Sequence, residues 1–134
     1  MGELKRMPFE NIGVLQDVDF DANGNLKTSA FGAGDKPVMI MVWGSYCGHC
    51  KNAKPAFGKV FDEQKQRKVF LATVQTDDSD PDVQKLMKRF PGIIRKHGIN
   101  FNGVPTYIVY HKGHYTEYQG GRDAQSLTNF INSL

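Results

Sequence analysis

The chain has 134 residues, 17 basic and 14 acidic side chains and a formal net charge of +3. That length suits one domain with a core of its own, and 40% hydrophobic with 23% charged residues is an ordinary globular composition. The weak positive charge is no footprint for nucleic acid, no apolar run approaches the roughly 20 residues of a membrane helix, and two cysteines are too few for a disulfide scaffold.

Met1 to Pro8 lacks the apolar stretch of a secretory leader. The expected location is cytoplasmic if Met1 is the natural start, and a secretory compartment if a leader was removed. Residues 1–37 read as an N-terminal extension carrying a β-hairpin. Val14, Val18 and Phe20 interleave with Asp17, Asp19 and Asp21, which predicts a strand over Gly13–Asp21. Asn23-Gly24 is a hairpin turn signal, followed by a return strand over Leu26–Ala30 and a loop over Gly32–Pro37. Asp19-x-Asp21-x-Asn23-Gly24 also resembles the opening of a calcium loop. Ala30 stands where such a loop needs a bidentate glutamate, so the turn is preferred.

Val38–Trp43 is an unbroken apolar run of strand length, as expected for a strand buried on both faces. From Gly48 to Gln66 the spacing of Ala53, Ala56, Phe57, Val60 and Phe61 predicts a helix, kinked by Pro55. Val69–Gln75 reads as a strand. Asp82–Phe90 reads as a helix, stopped by Pro91-Gly92, with Ile93–Lys96 as a further turn. Thr106–Tyr110 and Tyr115–Tyr118 read as strands joined through Lys112-Gly113, and Asp123–Leu134 as a closing helix. This alternation predicts an α/β fold over residues 1–134, with a mixed sheet flanked by helices and a core from residue 38 onward.

Cys47 and Cys50 sit where a buried strand ends and a helix begins, the usual place for functional groups in such sheets. A bridge at this spacing closes almost no loop and constrains the unfolded chain little, so the pair reads as chemical rather than structural. A zinc site would need four ligands, and His49, His97, His111 and His114 lack the spacing to complete one. The thiolate is the reactive form, and an ordinary thiol is mostly protonated at neutral pH. At Cys47 the free N–H groups and positive end of a helix favour the anion, and protonated His49 adds to that. Lys51 and Lys54 are close in sequence and expected to be solvated. Cys47 is therefore the expected nucleophile and Cys50 the resolving cysteine. No cofactor is needed beyond the Cys47–Cys50 disulfide.

Trp43-Gly44-Ser45-Tyr46-Cys47-Gly48-His49-Cys50-Lys51 resembles the active site of thioredoxin-fold proteins. Its Cys-Gly-His-Cys core is similar to the catalytic, a-type domains of protein disulfide isomerase. Pro55 matches the proline of the family's active-site helix. Val104-Pro105-Thr106 resembles its cis-proline loop, and Tyr118-Gln119-Gly120-Gly121-Arg122 a segment whose arginine can approach the resolving cysteine. The resemblance runs from about Val38 to Leu134 and implies a thioredoxin-like fold. It implies catalysis by Cys47, Cys50, His49 and Gly48, with substrate binding by Tyr46, Trp43, Val104 and Pro105 and tuning by Arg122. The implied partners are protein or peptide thiols and disulfides, with a recycling redox partner or glutathione. No nucleic-acid or membrane partner is expected, and the chain is expected to be a monomer.

Two positions depart from the family pattern. Met41 stands where a buried acid is usual, and Thr73 where a lysine is usual. Methionine cannot take a proton from Cys50, which leaves a slow or non-catalytic partner-binding module as the alternative reading. Loss of the acid also favours the thiolate. With His49, it places the expected redox potential at about −180 to −220 mV, toward the isomerase end of the scale. The segment Asp78–Gly103 is longer than its thioredoxin counterpart and carries Lys85, Lys88, Arg89, Arg95 and Lys96.

Overall fold

The computed structural model describes residues 5–6, 12–64 and 68–134. The elements are β1 (Lys5–Arg6), β2 (Gly13–Val14), β3 (Val38–Trp43), α1 (Gly48–Glu63), β4 (Phe70–Gln75), α2 (Pro81–Arg95), β5 (Thr106–His111), β6 (His114–Tyr118) and α3 (Ala124–Asn132). The strands form one mixed sheet in the order β1-β2-β4-β3-β5-β6. β3 runs parallel to β4 and antiparallel to β5.

The apolar run of β3 is explained by its place in the middle of this sheet. Val38, Ile40 and Val42 feed one buried cluster, together with Leu86, Phe90 and Ile94 of α2. Met39, Met41 and Trp43 feed the other, together with Ala53 and Phe57 of α1 and Leu127 and Ile131 of α3. Successive side chains of a strand point to opposite faces, so a strand covered on both sides has no polar position.

The N-terminal reading needs correction. Gly13–Asp21 is not a continuous strand: pairing stops at Val14, and Asp17–Asp19 form a 3-10 turn. The return strand over Leu26–Ala30 reduces to a single bridge between Phe20 and Leu26. At Asp17 and Val18 the alternation is inverted by charge pairing, whereas Val14 and Phe20 are buried as the pattern expects. Asp17 is buried against Arg89, with Nε to Oδ1 at 2.6 Å, while Val18 is exposed. The turn itself is present. Asp21 Oδ1 accepts the N–H groups of Asn23 and Asn25, and Gly24 has φ +85°.

α2 runs through Pro91-Gly92 instead of ending there. Val83, Leu86, Phe90 and Ile94 make one continuous buried stripe. Burying Ile94 on that stripe is worth roughly 1.5–3 kcal/mol, comparable to the cost of an interior proline. α1 likewise contains Pro55, and it ends at Glu63 with Gln64 extended as its C-cap, three residues short of the expected Gln66.

Candidate active site

The loop Gly44-Ser45-Tyr46 carries the chain from β3 to α1. Cys47 is the N-cap of α1, and its Sγ accepts the N–H of Cys50 at 3.1 Å. That N–H is one of the donors a helix start leaves unpaired. The sulfur therefore occupies the cap position an oxygen usually takes, at the positive end of the helix dipole. Cys47 and Cys50 are joined in a disulfide with Cα atoms 5.3 Å apart. Cys50, 1% exposed, is the more enclosed of the two; Cys47 is 8% exposed.

The loop is held from β4's end. Asp77 accepts the N–H of Ser45 at 3.0 Å and also its hydroxyl. Chiefly through the Ser45 hydroxyl, these bonds hold the Asp77 carboxyl below its ordinary range. Neither Ser45 nor Asp77 carries a spacing signal; they are 32 residues apart and meet only through the β3–β4 pairing.

Opposite the disulfide lies the loop before β5. The Val104–Pro105 peptide is cis, and the Val104 carbonyl oxygen is 3.5 Å from Cys47 Sγ. Pro105 is buried, while Tyr46 stands 71% exposed beside the disulfide, its hydroxyl 3.4 Å from that of Thr76. Trp43 is buried in the cluster that holds both cysteines. The Lys54 ammonium lies 4.0 Å from the centre of the Trp43 ring, so this lysine is not simply solvated as expected. Gly48 and His49 are exposed on the first turn of α1. Arg122 is exposed just before α3, bordering a cleft with His49, Asn52 and Ala53 and another with Pro105 and Tyr107. Trp43, Tyr46, Gly48, His49, Val104 and Pro105 thus lie around or next to one disulfide, while Arg122 borders the adjoining clefts.

Met41 and Thr73 are direct neighbours across β3 and β4, both fully buried. The Thr73 hydroxyl donates to the Gly13 carbonyl at 3.3 Å, so the pair is packed and internally satisfied. On its other side Met41 pairs with Tyr107 of β5, a buried residue that the sequence reading did not single out.

Comparison with known proteins agrees with this geometry. The family profile for Thioredoxin matches residues 28–133. The thioredoxin-like protein 453L of Invertebrate iridescent virus 6 is 33% identical over 129 residues, covering 87% of this chain and 89% of that protein. Protein disulfide-isomerase of Saccharomyces cerevisiae is 27% identical over 99 residues, covering 72% of this chain but 16% of that protein. Among solved structures, the first thioredoxin domain of mouse protein disulfide-isomerase A4 superposes with a TM-score of 0.67 at 18% identity, over 98% of this chain and 79% of that one.

Proposed function

Because this chain belongs to the thioredoxin family, with its two cysteines closed in a disulfide at a helix N-terminus, we propose that it exchanges thiols and disulfides with protein or peptide partners. The observation that carries the reading is the capping sulfur of Cys47, which accepts the Cys50 N–H at 3.1 Å. A sulfur already placed as a hydrogen-bond acceptor at a helix start is the one that gains most from becoming an anion.

In the reducing direction, the Cys47 thiolate attacks a sulfur of the partner's disulfide. A new S–S bond joins Cys47 to the partner, and the electron pair of the broken bond leaves on the other partner sulfur. Cys50 then attacks Cys47 Sγ, re-forming the intramolecular disulfide and releasing the second partner sulfur as a thiolate. Two electrons pass to the partner, and the two partner thiolates take up protons from water. Oxidation and isomerisation use the same steps in other orders. The exposed Tyr46 and the Val104–Pro105 segment border the cysteine that does the attacking and form the docking surface for the partner backbone. The Cys-Gly-His-Cys sequence favours the isomerase-like end of this chemistry, with glutathione or a protein dithiol as recycling partner.

Reduction of insulin by dithiothreitol tests the reading. The protein is expected to accelerate precipitation of the freed B chain, and the Cys47→Ser variant to fall to the uncatalysed rate. A second reading, a partner-binding module with slow turnover, draws on the packed Met41–Thr73 pair, which offers Cys50 no proton acceptor. Equal rates for wild type and Cys47→Ser would favour it.

A further inference from the structure

Among the described residues, the buried side-chain polar atoms without a protein hydrogen-bond partner are the Trp43 indole nitrogen and the Tyr107 hydroxyl. Both residues belong to the same buried cluster as Cys47 and Cys50. An unpaired buried hydroxyl is a standing cost that phenylalanine would avoid in the same space. Tyr107 therefore calls for a reason beyond packing.

The register supplies one. Thr73, Met41, Tyr107 and Tyr118 form a row across β4, β3, β5 and β6. The Thr73 hydroxyl is committed to the Gly13 carbonyl, and the Tyr118 hydroxyl to the Gly121 carbonyl at 2.7 Å. Met41 has no proton to give. Tyr107 alone in this row has a hydroxyl uncommitted to protein. Its ring lies 5.9 Å from that of Phe57, which shares the buried face of α1 with Cys50 and Ala53. The helix face that carries the resolving cysteine thus covers the tyrosine.

We propose that the Tyr107 hydroxyl donates a hydrogen bond, through interior water, to the Cys50 sulfur as that sulfur ionises. The proposal rests on the redox reading above and adds a positioning residue for its second step. Burial pushes the Tyr107 phenol up to about 12, so at neutral pH it keeps its proton and has it to donate. The Cys50 proton passes to solvent. The Cys50 thiolate then attacks Cys47, and the bond from Cys47 to the partner breaks with its electron pair on the partner sulfur. The ionisable groups facing Tyr107 are Tyr118 from β6 and Arg122 from the loop before α3, with Glu117 on the same 180 Å³ cleft, while Cys50 shares its buried cluster. Arg122 also favours anions nearby, so the test leaves it in place.

The test uses the full chain with Cys47→Ser, so that alkylation by iodoacetamide reports Cys50 alone. Adding Tyr107→Phe keeps the ring against Phe57 and removes only the hydroxyl. The Cys50 titration curve is expected to move up by about one pH unit, so that alkylation at neutral pH falls about tenfold. Tyr118→Phe, which removes a hydroxyl bonded elsewhere, is expected to leave the curve in place. A curve unmoved by Tyr107→Phe, or moved equally by both substitutions, overturns the proposal. Since the curve is read without turnover, an inactive wild type in the insulin assay would count against the redox reading alone.

Discussion

Cys47 Sγ lies 3.1 Å from the backbone nitrogen of Cys50, so the outer cysteine caps the helix that carries the inner one. One contact thereby joins two properties. It satisfies a helix donor, and it places a favourable local field at the more exposed of the two sulfurs. The buried strand β3 and the Ser45–Asp77 clasp fix where that cap falls.

The redox potential follows from the groups near the pair. An exposed histidine at His49 and an apolar Met41 both favour the dithiol over a site with a buried carboxylate. Equilibration with glutathione buffers is expected to give about −180 to −220 mV. A value at or below thioredoxin's, about −270 mV, would show that these two residues do not set the balance.

Lys54 stacks its ammonium on Trp43 beside the cysteines. Lys54→Met removes that charge, so the Cys47 thiol is expected to titrate at higher pH, while Lys54→Arg preserves the wild-type curve. The stability loss is expected to be about 0.5–1 kcal/mol, read from the denaturant midpoint. An unchanged Cys47 curve in Lys54→Met would remove this lysine from the electrostatics of the site.

Arg89 ties the N-terminal loop to α2. Its guanidinium reaches Asp17 Oδ1 at 2.6 Å, the Asp21 carbonyl at 2.8 Å and the Phe20 carbonyl at 3.2 Å. Arg89→Ala leaves the Asp17 carboxylate largely enclosed and is expected to destabilise the fold by about 2 kcal/mol. Urea unfolding measures this, and a loss below that of an exposed surface pair, about 0.5 kcal/mol, would contradict it.

Asp77 gives a signed pH dependence. Its folded carboxyl is held below the ordinary value of 3.8, mainly by the Ser45 hydroxyl. A depressed folded pKa stabilises above the unfolded value, and the contribution is lost as pH falls through the folded one. Wild type and Asp77→Asn are therefore expected to differ in urea midpoint by a constant amount well above pH 3.8, the difference shrinking as pH falls through 3.8 and vanishing below the lower, folded value. Because Asp77 is exposed, that difference is small. Divergence on acidification would reverse the assignment.

The sequence was most readable where one periodicity ran without competition. The six apolar residues of β3 and the helical spacing after Cys47 located the strand, the helix start and the cysteines between them. The cis Val104–Pro105 bond was accessible only by resemblance, since local sequence carries almost no preference strong enough to specify it. The errors share a cause. At Asp17 a distant arginine pulls an acid inward, and at Pro91 a buried stripe carries α2 through a residue that breaks isolated helices. Asp77 and Tyr107 escaped notice because the neighbours that single them out arise from strand pairing. Thr73, Met41 and Tyr107 become neighbours only when β4, β3 and β5 pair.

The ionisation of Cys47 is the quantity from which the reactivity derives, and the pH dependence of its alkylation in the reduced protein measures it directly. The rate is expected to reach half its maximum well below the ordinary thiol value of about 8.5. A midpoint at or above that value would mean that the helix cap confers no activation on the outer sulfur.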